Sequence, residues 1–226
     1  MSAGTELTGT PIPLKGIRRI AARRMVQAWA APVFHLSVAV DMTEVLGTGH
    51  RIPGATVTDA LIKACASALV AVPELNGHYA DEIVTLFDTV NIGVAVATDA
   101  GLMVPVIHHV EKLELPDIAD RRRDVVARGR IGKLGMADID AATFTVSNLG
   151  MLGIDQFDAI LNPPQVGILA VGSTAPTAVI RENSVQARPM ATLTLTCDHR
   201  AVDGVTGARM LGALRDELET TARATP

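Results

Sequence analysis

Leu195-Thr-Cys-Asp-His-Arg-Ala-Val-Asp-Gly204 is the stretch on which the fold turns. Ahead of it runs an alternating apolar segment, Met190-Ala-Thr-Leu-Thr-Leu-Thr-Cys197; after Gly204, Val205, Ala208, Leu211, Leu214 and Leu218 repeat at helical spacing. The period changes from two to about 3.6 within a few residues, as when a strand feeds a helix. His199 stands at that junction, where reactive side chains tend to be placed.

Neighbours on a strand point to opposite faces, so Asp198 is poorly placed to orient the His199 imidazole. Asp203 lies beyond the bend, free to return toward the histidine or to brace the turn by pairing with an arginine. The candidate partner is Arg24, on the apolar stripe of the first predicted helix, where an arginine either snorkels outward or pairs with a buried carboxylate. Cys197 shares a strand face with His199, and a Cys-His nucleophilic pair is one reading. Against it, the cysteine precedes the bend inside an apolar strand and lacks the helix N-terminus that usually depresses a thiol pKa.

Outward from this junction the chain reads as a single domain of mixed structure. Its 226 residues are 48% hydrophobic and 19% charged, enough for a sizeable core. With one Trp, one Tyr and four Phe, that core must be built from Val, Leu, Ile and Ala, and base-stacking platforms are not expected. A net charge of −4 argues against nucleic-acid binding. Arg121-Arg122-Arg123 is balanced by Asp117, Asp120 and Asp124, which suggests a solvated helix face, with a phosphate contact as the alternative. No apolar run approaches the roughly 20 residues of a membrane span, and the N-terminus lacks the shape of a signal peptide. Two cysteines, Cys65 and Cys197, are too few for a disulfide framework and have no zinc-type partners, so no bound metal and a reduced, cytoplasmic compartment are expected. His108 and His109 carry no metal pattern beyond themselves.

Residues 1–13 are polar with two prolines and read as a linker or tail, and residues 223–226 as a second tail. Ile17, Ile20, Ala21, Met25, Ala28 and Trp29 predict a helix that Pro32 ends. Phe34 to Asp41 alternates as a strand; Thr56-Val-Thr-Asp59 is a capping pattern for a helix running to Pro73. Val90 to Ala97 and Leu102 to Ile107 predict two strands reversing at Thr98-Asp-Ala-Gly101, the second an edge or bulged strand because Pro105 cannot donate to a ladder. Leu115 to Arg128 predicts a helix closed by Gly129. Phe144 to Gly153 is a strand entering a glycine-containing loop, Val166 to Gly172 and Thr177 to Ile180 are short strands, and Arg181-Glu-Asn-Ser is a hairpin turn. Strands and helices alternate irregularly, which favours a mixed β-sheet covered by helices.

Asp198-His-Arg-Ala-Val-Asp-Gly204 resembles the His-x-x-x-Asp-Gly signature of the dihydrolipoamide acyltransferase components of 2-oxo-acid dehydrogenase complexes, shared in shorter form with chloramphenicol acetyltransferase. Ile17-Arg-Arg-Ile-Ala-Ala-Arg-Arg-Met25, Asp99-Ala-Gly-Leu-Met-Val-Pro105, Thr143-Phe-Thr-Val-Ser-Asn-Leu-Gly150 and Asn162-Pro-Pro-Gln-Val-Gly-Ile-Leu-Ala-Val-Gly172 resemble further family segments in the same order. Together they cover nearly everything from Pro11 onward, with residues 14–222 as the acyltransferase catalytic domain.

The resemblance implies a two-layer α/β sandwich with a mixed sheet, chloramphenicol-acetyltransferase-like, in a homotrimer whose active sites lie between subunits. It implies that His199 is the general base toward the thiol of coenzyme A or dihydrolipoamide, that Ser147 donates to the tetrahedral oxyanion, and that Asp203, a position held by Asp or Asn in the family, has a supporting role. Asn148, Leu102 and Met103 are the implied substrate and coenzyme A contacts. Coenzyme A and the lipoyl group enter as substrates, the latter carried on a domain absent from this chain. A decarboxylase and dihydrolipoamide dehydrogenase are partners through likewise absent upstream domains, and neither nucleic acid nor membrane is expected. The chain then reads as an excised catalytic domain in preference to a stand-alone relative. The C-terminal Thr220 to Pro226 lacks the apolar plug by which many members build larger cages, so a trimer is the expected assembly. The acyl group is acetyl or branched-chain, with pyruvate or branched-chain keto acid dehydrogenase as the parent complex. Two other readings remain: a stand-alone acetyltransferase of a small hydroxyl compound, and a non-catalytic scaffold.

Overall fold

A computed structural model describes residues 9–98 and 101–220. The chain opens with α1 (Gly16–Trp29), β1 (Val33–Asp41), the one-turn helices α2 (Thr43–Leu46) and α3 (Thr48–Arg51), and α4 (Val57–Ala71). The hairpin β2 (Gly77–Ala80) and β3 (Ile83–Leu86) comes next. It is followed by β4 (Ile92–Val94), β5 (Val96–Thr98), β6 (Gly101–Met103) and β7 (Val106–Ile107). α5 (Leu115–Arg130), β8 (Phe144–Asn148), β9 (Gly167–Val171), β10 (Ala175–Arg181), β11 (Ser184–Asp198) and α6 (Gly204–Thr220) complete it.

Seven of these strands form one mixed sheet in the order β1-β11-β9-β8-β4-β7, with β10 pairing β11. β8 is parallel to β4 and β9, and the remaining pairs are antiparallel. Strand alternation divides the sheet into two chemically different faces. Leu36, Val38, Val146, Leu169, Leu193, Leu195 and Cys197 turn toward α4 and α6 and join Leu61, Leu69, Met210 and Leu214 in the main core. The other face carries small and polar side chains. There His35 meets Thr196 at 2.9 Å and Ser37 meets Thr194 at 2.9 Å, while Ile168 and Ala170 sit under Ala159 and Leu161.

The helix over 57–71 begins as its capping pattern predicts: the Thr56 backbone N–H donates to Asp59 Oδ2 at 2.8 Å. Asp59 is fully buried, and its carboxylate also receives Arg122 Nε at 2.6 Å and Nη2 at 3.1 Å. The arginine cluster of α5 is therefore not wholly a solvated face. Arg122 turns inward because a buried carboxylate needs a partner, while Arg123 stays outside with Asp120.

Pro105 divides the expected second strand into β6 and β7, and β7 is the sheet edge, where a missing N–H costs nothing. Asp99 and Ala100 of the expected turn lie outside the described residues. Gly129 does not close α5. It is buried within the helix, where a Cβ would press on Leu134 at 3.3 Å, and the chain turns instead at Gly132, whose φ is +68°. The β10–β11 ribbon reverses at Glu182 and Asn183, both left-handed, as a two-residue hairpin requires.

α1 departs most from expectation: of its apolar stripe only Ala28 is buried, and Ile20 and Trp29 are exposed within the single chain.

Candidate active site

β11 hands the chain to α6 through a turn built on Asp198. Its carbonyl accepts from Ala201 N at 3.1 Å and Val202 N at 3.0 Å, and its carboxylate accepts from the Arg200 backbone N–H at 3.0 Å. His199 stands between these groups, and its own N–H donates to the Pro32 carbonyl at 2.8 Å. The side chain is exposed and rests on Phe34, ring centroids 4.5 Å apart at 47°. Among the described residues neither ring nitrogen has a hydrogen-bond partner.

Asp203 caps α6. Its carboxylate accepts from Thr206 N at 2.8 Å and its carbonyl from Gly207 N at 3.1 Å. The Thr206 amide is the foremost of the groups that hold its carboxyl below the ordinary carboxylate range, with the nearby His199 adding to the effect. The expected pairing with Arg24 does not form within the chain. Arg24 is exposed and lines a cavity with Leu102 and Met103 of β6, whereas the Thr206 amide at the start of α6 already satisfies the Asp203 carboxylate. Asp198, as anticipated, turns away from the imidazole and pairs with Arg200.

Cys197 is fully buried against α6. Burial, reinforced by the Asp198 charge, pushes its thiol up to about 12, which removes it as a nucleophile at neutral pH.

Ser147 sits at the end of β8, half-buried, with no hydrogen bond to its hydroxyl among the described residues. The following loop is tightly held. Asn148 Oδ1 accepts from Gly150 N at 2.9 Å, Asn148 Nδ2 donates to Thr58 Oγ1 at 3.3 Å, and Gly150 lies so close to the Gly172 carbonyl that a Cβ would stand 2.5 Å from it. Leu102 and Met103 line a cavity of about 340 Å³ with Ile20, Arg24 and Met25 of α1 and the Asn162 to Gln165 segment.

The register separates Ser147 from His199. Ser147 is level with Ala170 on β9 and Ala170 with Thr194 on β11, five residues short of His199. At the usual strand rise and spacing this is roughly 17 Å along the strands and about 10 Å across them. Phe144 and Val146 belong to the helix-side core, so Ser147 faces away from it, whereas Phe34, on which His199 rests, packs toward it.

Residues 6–225 match the sequence profile of the 2-oxoacid dehydrogenases acyltransferase (catalytic domain). The chain belongs to this family. It is 37% identical over 219 residues to the dihydrolipoyllysine-residue acetyltransferase component of the mitochondrial pyruvate dehydrogenase complex of Schizosaccharomyces pombe, covering 92% of this chain and 45% of that protein. The chain spans about half the length of the acyltransferase relatives it matches.

Its fold superposes on the Azotobacter vinelandii dihydrolipoamide acetyltransferase with a TM-score of 0.90 at 31% identity, covering 96% of this chain and 93% of that one. That structure belongs to an investigation of a serine, a histidine and an asparagine in the catalytic mechanism, the histidine 52 positions after the serine and the asparagine four further on. Chloramphenicol acetyltransferase shares the fold alone, with a TM-score of 0.57 at 15% identity over 83% of this chain and 86% of that one.

Sequence reasoning passed over two residues of this acyltransferase domain that the structure brings to the turn, Phe34 under His199 and Tyr79 under Arg200, and did not foresee that Arg122 would pair with Asp59 between α5 and α4. Asp59 at the third position of a capping box was the one available signal, since a buried cap carboxylate calls for a cation.

Proposed function

We propose that residues 14–222 form a catalytic domain that moves an acetyl group between a dihydrolipoyl thioester and coenzyme A, in a site assembled from His199 of one copy and Ser147 of another. The carrying observation is the correspondence of intervals: Ser147, His199 and Asp203 stand 52 and four positions apart, as do the serine, histidine and asparagine of the Azotobacter enzyme. Aspartate replaces asparagine at the third place, and both residue types cap helices well.

His199 Nε2 or Nδ1 takes the proton from the coenzyme A thiol. The thiolate adds to the thioester carbonyl carbon, and the oxyanion receives a hydrogen bond from the Ser147 hydroxyl. Collapse breaks the carbon–sulfur bond to the dihydrolipoyl group, whose sulfur takes the proton back from His199. A positioned base contributes about 10²- to 10⁴-fold, and one oxyanion donor roughly 10²- to 10³-fold. Leu102 and Met103 are the proposed substrate contacts, a reading supported by the cavity they line. Asn148, engaged with Gly150 and Thr58, serves the substrate by fixing the loop that presents Ser147.

A homotrimer supplies the second copy. The exposed Val26 and Trp29 of α1 and Met151 and Leu152 after β8 are apolar surface consistent with a neighbouring subunit. A lipoyl domain, and through it the decarboxylase and dihydrolipoamide dehydrogenase of a pyruvate dehydrogenase-type complex, are the proposed partners in the cytoplasm. Transfer of acetyl, isobutyryl and succinyl groups from coenzyme A to free dihydrolipoamide tests the reading. Acetyl is the expected best donor; a preference for isobutyryl makes it a branched-chain enzyme, and failure with all three refutes transfer to dihydrolipoamide.

A further inference from the structure

We propose that Arg200 is a positioning residue for His199, gripped from one side by Asp198 and from the other by the chain's single tyrosine, Tyr79. The inference rests on His199 being the base.

Asp198 is 3% exposed, and a carboxylate so buried must be neutralised where it stands. Arg200 does this with its Nε on Oδ1 at 2.9 Å and its Nη2 on Oδ2 at 2.6 Å, a two-pronged grip that a lysine ammonium cannot reproduce. The guanidinium carbon then lies 4.1 Å over the centroid of the Tyr79 ring, at cation–π distance. Tyr79 belongs to β2, and its own backbone N–H is tied to the Pro164 carbonyl at 2.8 Å. The two gripped residues are the immediate neighbours of His199, so its backbone is held on both sides by side-chain contacts that reach a separate hairpin.

The imidazole has little else to aim it. With neither ring nitrogen hydrogen-bonded among the described residues, its direction depends on this backbone and on the Phe34 ring. A shift of the turn would carry the ring away from a substrate held partly by another subunit, and misplacement near 1 Å is enough to cost a reaction about 10²-fold.

Tyr79→Leu, Tyr79→Phe and Arg200→Lys in the full chain test this, each checked by circular dichroism and solution mass. Tyr79→Leu is expected to lower kcat about ten- to a hundredfold, with KM for acetyl coenzyme A and dihydrolipoamide little changed. Tyr79→Phe keeps the ring face and is expected to recover most of that loss. Arg200→Lys keeps the charge without the fork and is expected to resemble Tyr79→Leu. A Tyr79→Leu variant with parental kcat, a loss confined to KM, or a Tyr79→Phe variant as slow as Tyr79→Leu overturns the proposal.

The His199 ring signals in ¹³C-histidine-labelled protein, assigned by their loss in His199→Ala, give a readout independent of turnover. They are expected to leave their Phe34-shifted positions in Tyr79→Leu or Arg200→Lys and to return in Tyr79→Phe; signals that stay in place in a folded variant overturn the clasp, and Arg200→Lys gives that readout if Tyr79→Leu fails to fold. Absence of transfer by the parent chain sinks the base assignment instead, and the ring signals then decide the clasp by themselves.

Discussion

Ser147 faces away from the helix-side core, whereas His199, one residue beyond β11, rests on Phe34 of the helix side, two strands across and five residues out of register. No rotamer change brings them together within a chain, so a reaction that uses both needs two copies. Co-assembly of Ser147→Ala and His199→Ala chains tests this directly. Each variant alone is expected to lose about 10²- to 10⁴-fold in turnover. Random mixing restores a complete pair at roughly one interface in four, because each interface takes one residue from each neighbour. Mixed assemblies no more active than the separate variants would place both residues in one subunit's site.

Asp203 acts through the start of α6. Asparagine caps as well as aspartate, so Asp203→Asn is expected to keep the melting temperature and most of the turnover. Asp203→Ala leaves the Thr206 amide without its acceptor at 2.8 Å and is expected to lower both. Thermal melts and steady-state rates distinguish the two.

Cys197 is a packing residue. Its thiol stands at about 12 against an ordinary 9.0, so the folded state holds the proton that the unfolded chain releases. Stability from this group is whole below pH 9.0 and declines as the pH rises from there toward 12. Cys197→Ala is expected to flatten that alkaline decline while preserving turnover at neutral pH. Iodoacetamide is expected to label the parent at this cysteine only when the protein is unfolded. Denaturant titrations across pH and mass spectrometry of labelled protein check these outcomes.

The Asp59 and Arg122 pair anchors α5 to α4. Removing the arginine leaves a carboxylate with no exposed surface and no cation, a change expected to cost about 3 to 5 kcal/mol. Arg123→Ala, one residue further along α5 and solvent-facing, is expected to cost under about 1 kcal/mol. Urea unfolding of the two variants gives the comparison.

Much of this was legible in the sequence because it is local. The switch of period at Gly204, the capping pattern at Thr56 and the Glu182-Asn183 hairpin each lie within a few residues, and backbone sterics and hydrogen bonding fix them there. Pro105 likewise announced an edge by its missing donor. The same residues placed His199 at a strand end, and the resemblance of the surrounding motifs named its chemistry.

Long-range packing decided the rest. That Arg122 turns inward while Arg123 does not, that Arg24 never meets Asp203, and that Gly129 serves close packing instead of ending a helix depend on which elements come to lie side by side. The stripe on α1 illustrates the limit: its helical period is plain, yet whether that stripe is covered depends on a surface the chain does not bring to it. Sequence alone determined the elements and the residue types of the site, since these follow from periodicity and local bonding. Only the tertiary structure decided that His199 and Ser147 of one chain stand apart, because strand register and sheet face are set by the pairing of β8, β9 and β11, which no local pattern encodes.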